Sequence, residues 1–506
     1  MFIAFQSEIL PSSCKLIGYS WLLHHFHVNL PLRQLCCVSE KRIAGQTIVK
    51  GNWLIFDAQL MVEESVYAQL EFAIKHEYLD LLLLKKILEI FPKDNLITNI
   101  QNNPKRILNK KIWFLYEFLL KTKLPLEDLP AGKYDDLVNK EKYIVNNNFS
   151  KSKRHKINNN LLGTEEFCPI IKRTEKLQNY LELNLKNEIT DVIGRVSKVL
   201  VRRAASFLLL SDSKASFEIE GERPPKNRIE NWGKVINEAG KSDLSIDEIQ
   251  RLHAILLQDS RFVKIGLRDE EVFLGDRDRD NYPIPEFIGG SSKNLTSLMS
   301  DWIELDKKLI DANIDPILHA VIIAFSFVYI HPLEDGNGRI HRYLLHHVLA
   351  KQNFYPKGMI FPISNVILDE IDKYRDVLIT HTKPLMDSIE WEATQTGNVK
   401  ILNDTDDLYR YFDCTQSCEF IYECVQITIQ KTLPNELKYL KSFDKSYTDI
   451  NELLEMPNNK IKSLITFVLQ NNNKLSRNKK EKYFAQLSVE EVSIIENIIN
   501  ENFSDQ

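Results

Sequence analysis

The segment from His331 to Arg342, HPLEDGNGRIHR, contains residue types that together can transfer a phosphoryl or nucleotidyl group. Histidine side chains ordinarily titrate near neutrality, so His331 can act as a general base on a hydroxyl. Asp335 offers carboxylate oxygens, which suit a Mg²⁺ ion that also binds phosphates. Arg339 and Arg342 stand three residues apart, so on a helix they share one face and can donate charge-assisted hydrogen bonds to a polyphosphate. The spacing therefore indicates metal-assisted phosphoryl or nucleotidyl transfer.

Two helices must position these residues. The apolar run 317–330 predicts a buried helix, and Pro332 disfavours helical geometry at His331, so we expect that helix to end there. A second, amphipathic helix is expected from about Gly338, with Asp-Gly-Asn-Gly at its N-terminus. That end would present unpaired N–H groups and a positive dipole end to an anion. Gly336 and Gly338 would let the backbone approach phosphate oxygens closely.

The combination of residues in this segment is more specific than any of its parts. A Gly-Asn-Gly turn with two arginines could by itself be a loop followed by a surface helix. With the histidine and the acid at fixed spacing, the segment closely resembles the signature of the Fic (Fido) family, HxFx(D/E)GNGRxxR. Fic proteins are all-α domains that mostly transfer AMP from ATP to a hydroxyl of a target protein.

The resemblance implies a role for each position of the segment. His331 would be the catalytic base, and Asp335 would bind Mg²⁺. The residues that would bind the nucleotide, with Asp335 among them, are Gly336, Asn337, Gly338, Arg339, Ile340, His341 and Arg342. The glycines and Asn337 would surround the phosphates, and the two arginines would hold the β/γ end. Leu333 replaces a family Phe, and since that position is apolar packing in the family, the change concerns the fit of the loop and not the chemistry.

Residues 266–290 have two short apolar runs, VFLG and EFIG, around a polar middle that contains proline, which predicts a β-hairpin or flap. By resemblance, Leu274, Gly275 and Asp276 would line the nucleotide and align the target chain by main-chain pairing. An ordinary surface hairpin is the alternative. Further along, Tyr374 resembles a tyrosine that flanks the adenine in family members, although a core or surface tyrosine explains it nearly as well.

The segment SFEIEGE, residues 216–222, resembles the inhibitory motif of the family, (S/T)xxxE(G/N). Ser216, Glu220 and Gly221 match it. In the family this Glu pairs with the second arginine of the signature, here Arg342, and competes with the γ-phosphate for the same donor. The alternative is an acidic helix end with Gly221 just beyond it. Since the motif precedes the signature, the resemblance implies self-inhibition from a helix on the N-terminal side.

Composition and charge place the chain among ordinary globular proteins. The 506 residues are 43% hydrophobic and 27% charged, with a net charge of −5. The net charge offers no support for nucleic-acid binding, which requires a basic surface. Seven cysteines without a CxxC pair indicate neither a disulfide framework nor a zinc ribbon. The N-terminus is not a convincing signal peptide, and 317–330 is too short to span a membrane, so we expect a cytoplasmic protein without a membrane anchor.

The predicted fold class is mainly α: a Fic-type helical core with a small β-hairpin flap, an N-terminal α/β or α region, and a C-terminal helical region. We expect three domains: an N-terminal accessory region at 1–163, the Fic domain with the inhibitory helix at 164–400, and a helical region at 401–506. The Asn-, Lys- and Ser-rich stretch 146–163 is expected to be a linker or long loop.

The favoured functional hypothesis is a protein adenylyltransferase that uses ATP and Mg²⁺ on a Ser, Thr or Tyr hydroxyl of a target protein, which could be the chain itself. The same fold could instead remove AMP or transfer phosphate. A third hypothesis is a nucleotide-sensing or DNA-binding regulator with a helix-turn-helix in 445–500. A nucleic-acid or membrane partner is not expected, and the oligomeric state is left open.

Overall fold

The computed structural model describes residues 4–257 and 261–504, and it confirms a mainly helical fold with small β-sheets. The N-terminal third mixes strands and helices. Its strands are β1 (Ala4–Phe5), β2 (Glu8–Ile9), β3 (Cys14–Leu16), β4 (Leu35–Ser39), β5 (Ile48–Lys50), β6 (Trp53–Phe56), β7 (Asp135–Asp136), β8 (Ser150–Ser152) and β9 (Ile157–Asn159). Its helices are α1 (Gly18–Phe26), α2 (Val66–His76), α3 (Leu81–Ile90), α4 (Lys93–Asn102), α5 (Ile107–Leu120) and α6 (Glu175–Glu182).

The middle of the chain contains the segment from His331 to Arg342. Its helices are α7 (Leu185–Gly194), α8 (Lys198–Glu218), α9 (Lys226–Ile236), α10 (Ile246–Leu257), α11 (Leu295–Ala312), α12 (Pro316–Ile330), α13 (Asn337–Lys351), α14 (Ile363–Asp369) and α15 (Ile371–Thr382). Two antiparallel strands, β10 (Phe273–Arg277) and β11 (Pro283–Ile288), form the predicted hairpin between α10 and α11.

The last part of the chain is helical apart from one hairpin, β12 (Trp391–Ala393) with β13 (Val399–Ile401). Its helices are α16 (Asp406–Arg410), α17 (Thr415–Ile427), α18 (Leu433–Leu453), α19 (Asn458–Leu469), α20 (Arg477–Tyr483) and α21 (Val489–Phe503). Among the described residues, no helix has both the length and the apolar character needed to cross a bilayer.

A four-stranded sheet organises the N-terminal region, with strand order β3-β4-β6-β5. The β4 and β6 strands are parallel, and the other two pairs are antiparallel. Its buried face packs on Ile17 and Phe72, which lie just before α1 and within α2. Burial of these apolar side chains stabilises the sheet packed against the helices. A hairpin by itself would be only marginally stable.

Residues 146–163, expected to form a linker, instead contain β8 and β9 of a small sheet. Arg154 donates to Glu117 on α5 at 2.9 Å and to Asp128 at 2.7 Å. His155 is 5% exposed and packs its ring against Trp113. The basic side chains are therefore tied to acids and aromatic rings of the same region, a long-range pairing that local composition does not reveal.

The chain divides into two compact units. One comprises Met1–Glu182, Ala239–Gln352 and Glu370–Tyr422, and it contains the His331 to Arg342 segment. The other comprises Leu183–Glu238, Asn353–Asp369 and Glu423–Gln506. In this second unit the α8 and α14 helices are joined by Asp212, whose carboxylate accepts from the Ser364 N–H at 2.7 Å and hydroxyl at 3.0 Å. The predicted limits at 163 and 400 stay predictions.

Candidate active site

The loop from His331 to Gly336 joins two packed helices, α12 and α13. The Asp315 side chain caps the start of α12, where Pro316 takes the first helical position. The helix ends at Ile330, and His331 adopts a left-handed conformation with φ 54° and ψ 59°. The helix α13 then starts at Asn337, one residue after Gly336, which has φ 82°. The predicted helix end and the predicted new helix are both confirmed.

Asn337 closes this loop through its side chain. Its amide oxygen accepts from the Leu333 N–H at 3.0 Å, and its amide nitrogen donates to the Leu333 carbonyl at 2.8 Å. Asn337 is 2% exposed and Leu333 is fully buried. Both amide atoms of Asn337 therefore shape the loop. The amide nitrogen has a second N–H beyond this bond, so a contact with a phosphate, as the family resemblance implies, stays a prediction.

Arg268 fastens the loop to the hairpin, a role that sequence reasoning missed. Its Nε donates to the His331 carbonyl at 2.8 Å, its Nη1 to Glu270 at 2.7 Å, and its Nη2 to the Gly290 carbonyl. Its backbone N–H also donates to Pro332 at 3.1 Å. Arg268 is 2% exposed, and this burial lowers its pKa to about 10. The planar guanidinium suits such divergent bonds, but nothing in the sequence GLRDEE distinguishes it from a surface arginine.

The His331 side chain lies beside the hairpin. It is 8% exposed, and its ring meets the ring of Phe287 on β11 at 5.7 Å between centroids. Its Nδ1 lies 3.3 Å from the Val328 carbonyl. In the tautomer that donates this hydrogen bond, Nε2 is the basic nitrogen, as a general base requires.

Asp335 and Arg339 form an ion pair at the start of α13. Asp335 Oδ1 accepts from Arg339 Nη2 at 2.8 Å and from the Gly336 N–H at 2.6 Å. The Asp335 side chain is 47% exposed, so its carboxylate faces solvent at the mouth of the loop. No group of three or more His, Cys, Asp or Glu side chains in the described part of the chain is arranged as a metal cage. A Mg²⁺ ion on Asp335 would therefore take most of its oxygens from phosphates and water.

Arg339 and Arg342 bring two guanidinium groups into the interior, with exposures of 1% and 0%. Both lie in the first two turns of α13, where the dipole end is positive. A buried cation is costly unless an anion lies close by. Arg339 has such an anion in Asp335, at 2.8 Å.

A histidine of α10 packs near the loop. His253 Nδ1 accepts from the Gly266 N–H at 3.1 Å, and burial lowers the pKa of this histidine. A Cβ on Gly336 would lie 2.6 Å from Leu256 of the same helix. The α10 helix thus packs against the loop, and the φ of 82° at position 336 favours glycine there.

Three of the predicted nucleotide contacts occupy the interior of this unit. Ile340 and His341 are fully buried, and His341 Nδ1 lies 2.8 Å from the Ala324 carbonyl of α12. Tyr374 on α15 is 4% exposed, with its ring 5.9 Å from that of His341 and 6.5 Å from that of Phe325. That Ile340 and His341 bind the nucleotide and that Tyr374 flanks an adenine stay predictions.

The predicted flap residues lie on β10, opposite the strand that contacts His331. Leu274 pairs with Phe287, and a bulge follows between Leu274 and Gly275. Leu274 is 50% exposed and Asp276 is exposed as well. A Cβ on Gly289, at the foot of the hairpin, would lie 3.1 Å from the His331 Cβ. The structure thus brings the flap and His331 together.

The residues of the predicted inhibitory motif lie at the C-terminal end of α8, in the other compact unit. Ser216 is 1% exposed within the last turn. Gly221 has φ 75°, and the Glu222 N–H donates to the Phe217 carbonyl at 3.0 Å across the turn. This is the glycine-terminated helix end of the alternative interpretation. The pairing of Glu220 with Arg342 stays a prediction.

Residues 243–349 match the family model of the Fic/DOC family. Among curated proteins, the chain is 32% identical over 122 residues to protein adenylyltransferase fic-1 of Caenorhabditis elegans, which covers 24% of this chain and 22% of that protein. It is 30% identical over 115 residues to protein adenylyltransferase Fic of Nematostella vectensis, covering 22% and 24%. The match thus spans less than a quarter of the length of these relatives.

Two solved structures resemble parts of the chain. A Fic family protein from Desulfovibrio desulfuricans G20 aligns with 53% of this chain and 78% of its own, at a TM-score of 0.37 and 19% identity. A Fic domain containing signaling protein from Bacteroides thetaiotaomicron aligns with 53% and 97%, at a TM-score of 0.36 and 17% identity. The family match over the loop, its two helices and the hairpin shows that this chain carries a Fic/DOC domain at residues 243–349.

Proposed function

We propose that this Fic/DOC domain is a protein adenylyltransferase, which transfers AMP from ATP to a Ser, Thr or Tyr hydroxyl of a target protein. The observation that carries the proposal is the loop between α12 and α13. This loop places the His331 ring beside Phe287 of β11. It leads into α13, whose first two turns contain Arg339 and Arg342. The names of the relatives, at 30–32% identity, support this reaction class.

The proposed reaction begins with the target hydroxyl between the flap and His331. His331 Nε2 accepts the hydroxyl proton while the oxygen attacks the α-phosphorus of ATP. The new bond is O–Pα, and the bond that breaks joins Pα to the bridging oxygen of pyrophosphate. The product is an AMP ester of the target, and pyrophosphate carries away the electron pair.

The polyphosphate end is assigned to α13. Arg339 and Arg342 would neutralise the charge of the leaving pyrophosphate, and the backbone N–H groups near Gly336 and Gly338 would hold phosphate oxygens. Mg²⁺, bound through Asp335 and the phosphates, would supply further charge neutralisation. Asp335 is suited to this because its carboxylate is half exposed and is held at one oxygen by Arg339.

We further propose that Glu220 restrains the reaction. A carboxylate that bonded Arg342 would compete with the γ-phosphate for the same donor, and ATP would then bind in a geometry unsuited to in-line attack. The motif Ser216, Glu220 and Gly221 supports this part of the proposal by resemblance only.

The test is intact-mass spectrometry of the purified chain after incubation with Mg²⁺ and ATP. We expect Glu220→Gly to gain one AMP, wild type to gain little, and His331→Ala to gain none. Glu218→Gln is the matched control, because Glu218 is also an acid at the end of α8 and pairs with Lys214 at 3.3 Å. It should behave like wild type.

Parallel labelling with ATP carrying the label on the α- or the γ-phosphate separates adenylyl transfer from phosphate transfer. Incubation of a labelled target with the wild type would detect the removal of AMP. No α-label transferred to the chain or to any protein of a lysate, by wild type or by Glu220→Gly, would contradict the transferase proposal and leave a nucleotide sensor as the alternative.

A further inference from the structure

The C-terminal region carries a local excess of positive charge. Residues 457–487 contain seven basic side chains and one acidic side chain, Glu481, although the whole chain has a net charge of −5. The basic side chains are Lys460, Lys462, Lys474, Arg477, Lys479, Lys480 and Lys482. They lie on α19, α20 and the loop between these helices. This local positive charge would attract a polyanion, in contrast to the net negative charge of the whole chain.

Three of these lysines contact Tyr483, two at its ring and one at its backbone carbonyl, and we name this set the lysine–tyrosine cluster: Lys460, Lys479, Lys482 and Tyr483. The ammonium groups of Lys479 and Lys482 each lie 5.3 Å from the centre of the Tyr483 ring. Lys460 donates to the Tyr483 carbonyl at 3.0 Å. Tyr483 is 38% exposed, so part of the residue faces solvent, and its ring lies 5.6 Å from the ring of Phe467.

The lysines of the cluster make no ion pair with an acid in the described part of the chain. Within residues 4–257 and 261–504, no salt bridge joins any of the three to an Asp or Glu, whereas the nearby Arg477 pairs with Glu481 at 2.8 Å. The ammonium groups of Lys479 and Lys482 at the Tyr483 ring, and that of Lys460 at its carbonyl, repel each other. Phosphate groups of a ligand would relieve that repulsion and release bound counterions.

We propose that the lysine–tyrosine cluster binds single-stranded nucleic acid. The lysines would contact successive phosphates, and Tyr483 would offer a surface on which an unpaired base can stack. The α20 helix has only seven residues and is about 10 Å long. Such a short basic helix is poorly suited to following the groove of a duplex. An exposed aromatic ring among cations therefore favours a single strand over a duplex.

An anionic membrane is a less suitable partner. Surface helices that insert into a bilayer present aliphatic or aromatic side chains on one face. The α20 helix, RNKKEKY, has no aliphatic residue, and the aliphatic side chains of α19 belong to the core of this region: Ile461, Leu464, Ile465 and Val468. A basic surface that has no apolar face to insert into a bilayer suits a nucleic acid better than a membrane.

The test uses the full chain and a fluorescent 20-nucleotide oligo-dT, with binding followed by anisotropy over a range of salt concentrations. We expect the logarithm of the association constant to fall with the logarithm of salt at a slope of about −2, from roughly three phosphate contacts. Lys479→Glu with Lys482→Glu should weaken binding more than about tenfold and flatten the slope. Tyr483→Ala should cost about tenfold, and Tyr483→Phe should retain binding.

The matched control is Lys93→Glu with Lys105→Glu, two exposed lysines of the N-terminal region that cause the same change in net charge. It should bind oligo-dT nearly as wild type does. Equal weakening by this control, no binding at low salt, or binding to a duplex or to phosphatidylserine vesicles as tight as to oligo-dT would each overturn the proposal. Circular dichroism of each variant excludes unfolding as the cause. This test is independent of adenylyl transfer.

Discussion

At the scale of single residues, the candidate site depends on side chains that do no chemistry themselves. Asn337 uses both atoms of its amide on the backbone of Leu333. Arg268 donates to the carbonyls of three different residues on both sides of the site. Each buried carbonyl held in this way would otherwise cost free energy as an unsatisfied acceptor. The position of His331 is therefore determined by its supports as much as by its own sequence neighbours.

We predict that Arg268→Lys loosens the loop while the chain stays folded. A lysine keeps the charge but cannot reach three divergent carbonyls at once. The loss should be about 2 kcal/mol in local stability, or roughly 30-fold faster hydrogen exchange at the amides of 331–337. Transfer in the Glu220→Gly background should fall in parallel. Arg277→Lys, on the exposed end of the hairpin, should change neither quantity, and equal exchange rates in the two variants would contradict the assigned role.

At the scale of elements, the β10–β11 hairpin is supported at its foot and along its side. Tyr409 donates to the Ile288 carbonyl at 2.7 Å, and Asn398, next to β13, donates to the Glu271 carbonyl at 2.9 Å. The Tyr282 ring lies 6.2 Å from that of Trp391 on β12. An isolated two-stranded hairpin is only marginally stable in water. The second hairpin therefore helps to keep the flap in place beside His331.

We predict that Gly275→Ala disrupts the flap selectively. Gly275 has φ 144°, and a Cβ there would lie 2.2 Å from the Ile284 carbonyl on the paired strand. The strand would have to shift, so hydrogen exchange of 273–288 should rise and transfer should drop by at least about tenfold. Gly194→Ala at the end of α7 is the control, since a Cβ there meets no atom within 4 Å. Unaltered exchange in the Gly275 variant would refute this account of the bulge.

At the scale of the whole molecule, the N-terminal region shows a partly buried acid that links two helices. The Glu77 carboxylate, at the end of α2, accepts from the Tyr19 N–H in the first turn of α1 at 2.9 Å. Burial raises the pKa of Glu77 to about 7. In the unfolded chain the same group titrates near 4.3, so the folded form retains its proton to higher pH.

The sign of the resulting pH dependence follows from this difference. The contribution of Glu77 to the stability of the folded state is fully present below a pH of about 4 and is lost as pH rises towards 7. The reason is that the folded state holds the proton that the unfolded state releases. We predict that Glu77→Gln removes this loss. Urea unfolding measures the free energy of unfolding of both proteins. As pH rises from about 5 to about 8, the value for the variant should increase by roughly 2–3 kcal/mol relative to that for wild type. A difference that does not change with pH would show that Glu77 titrates normally.

The sequence by itself determined the features that depend on neighbouring residues. Pro332 ends α12 at Ile330, Gly336 permits the turn into α13, and the two apolar runs of 266–290 pair as a hairpin. Each of these follows from backbone sterics within a few residues. The signature also placed the Fic/DOC domain, since the chemistry of HPLEDGNGRIHR lies within one short segment.

Only the tertiary structure decided the features that join distant parts of the chain. It showed Arg268 bonding to a loop 63 positions away, and the supposed linker as part of a sheet held by Arg154. It also showed that Ile340, His341 and Tyr374 are buried. Burial and long-range hydrogen bonding are properties of the packed chain, so the spacing of residue types along the sequence carries no direct record of them.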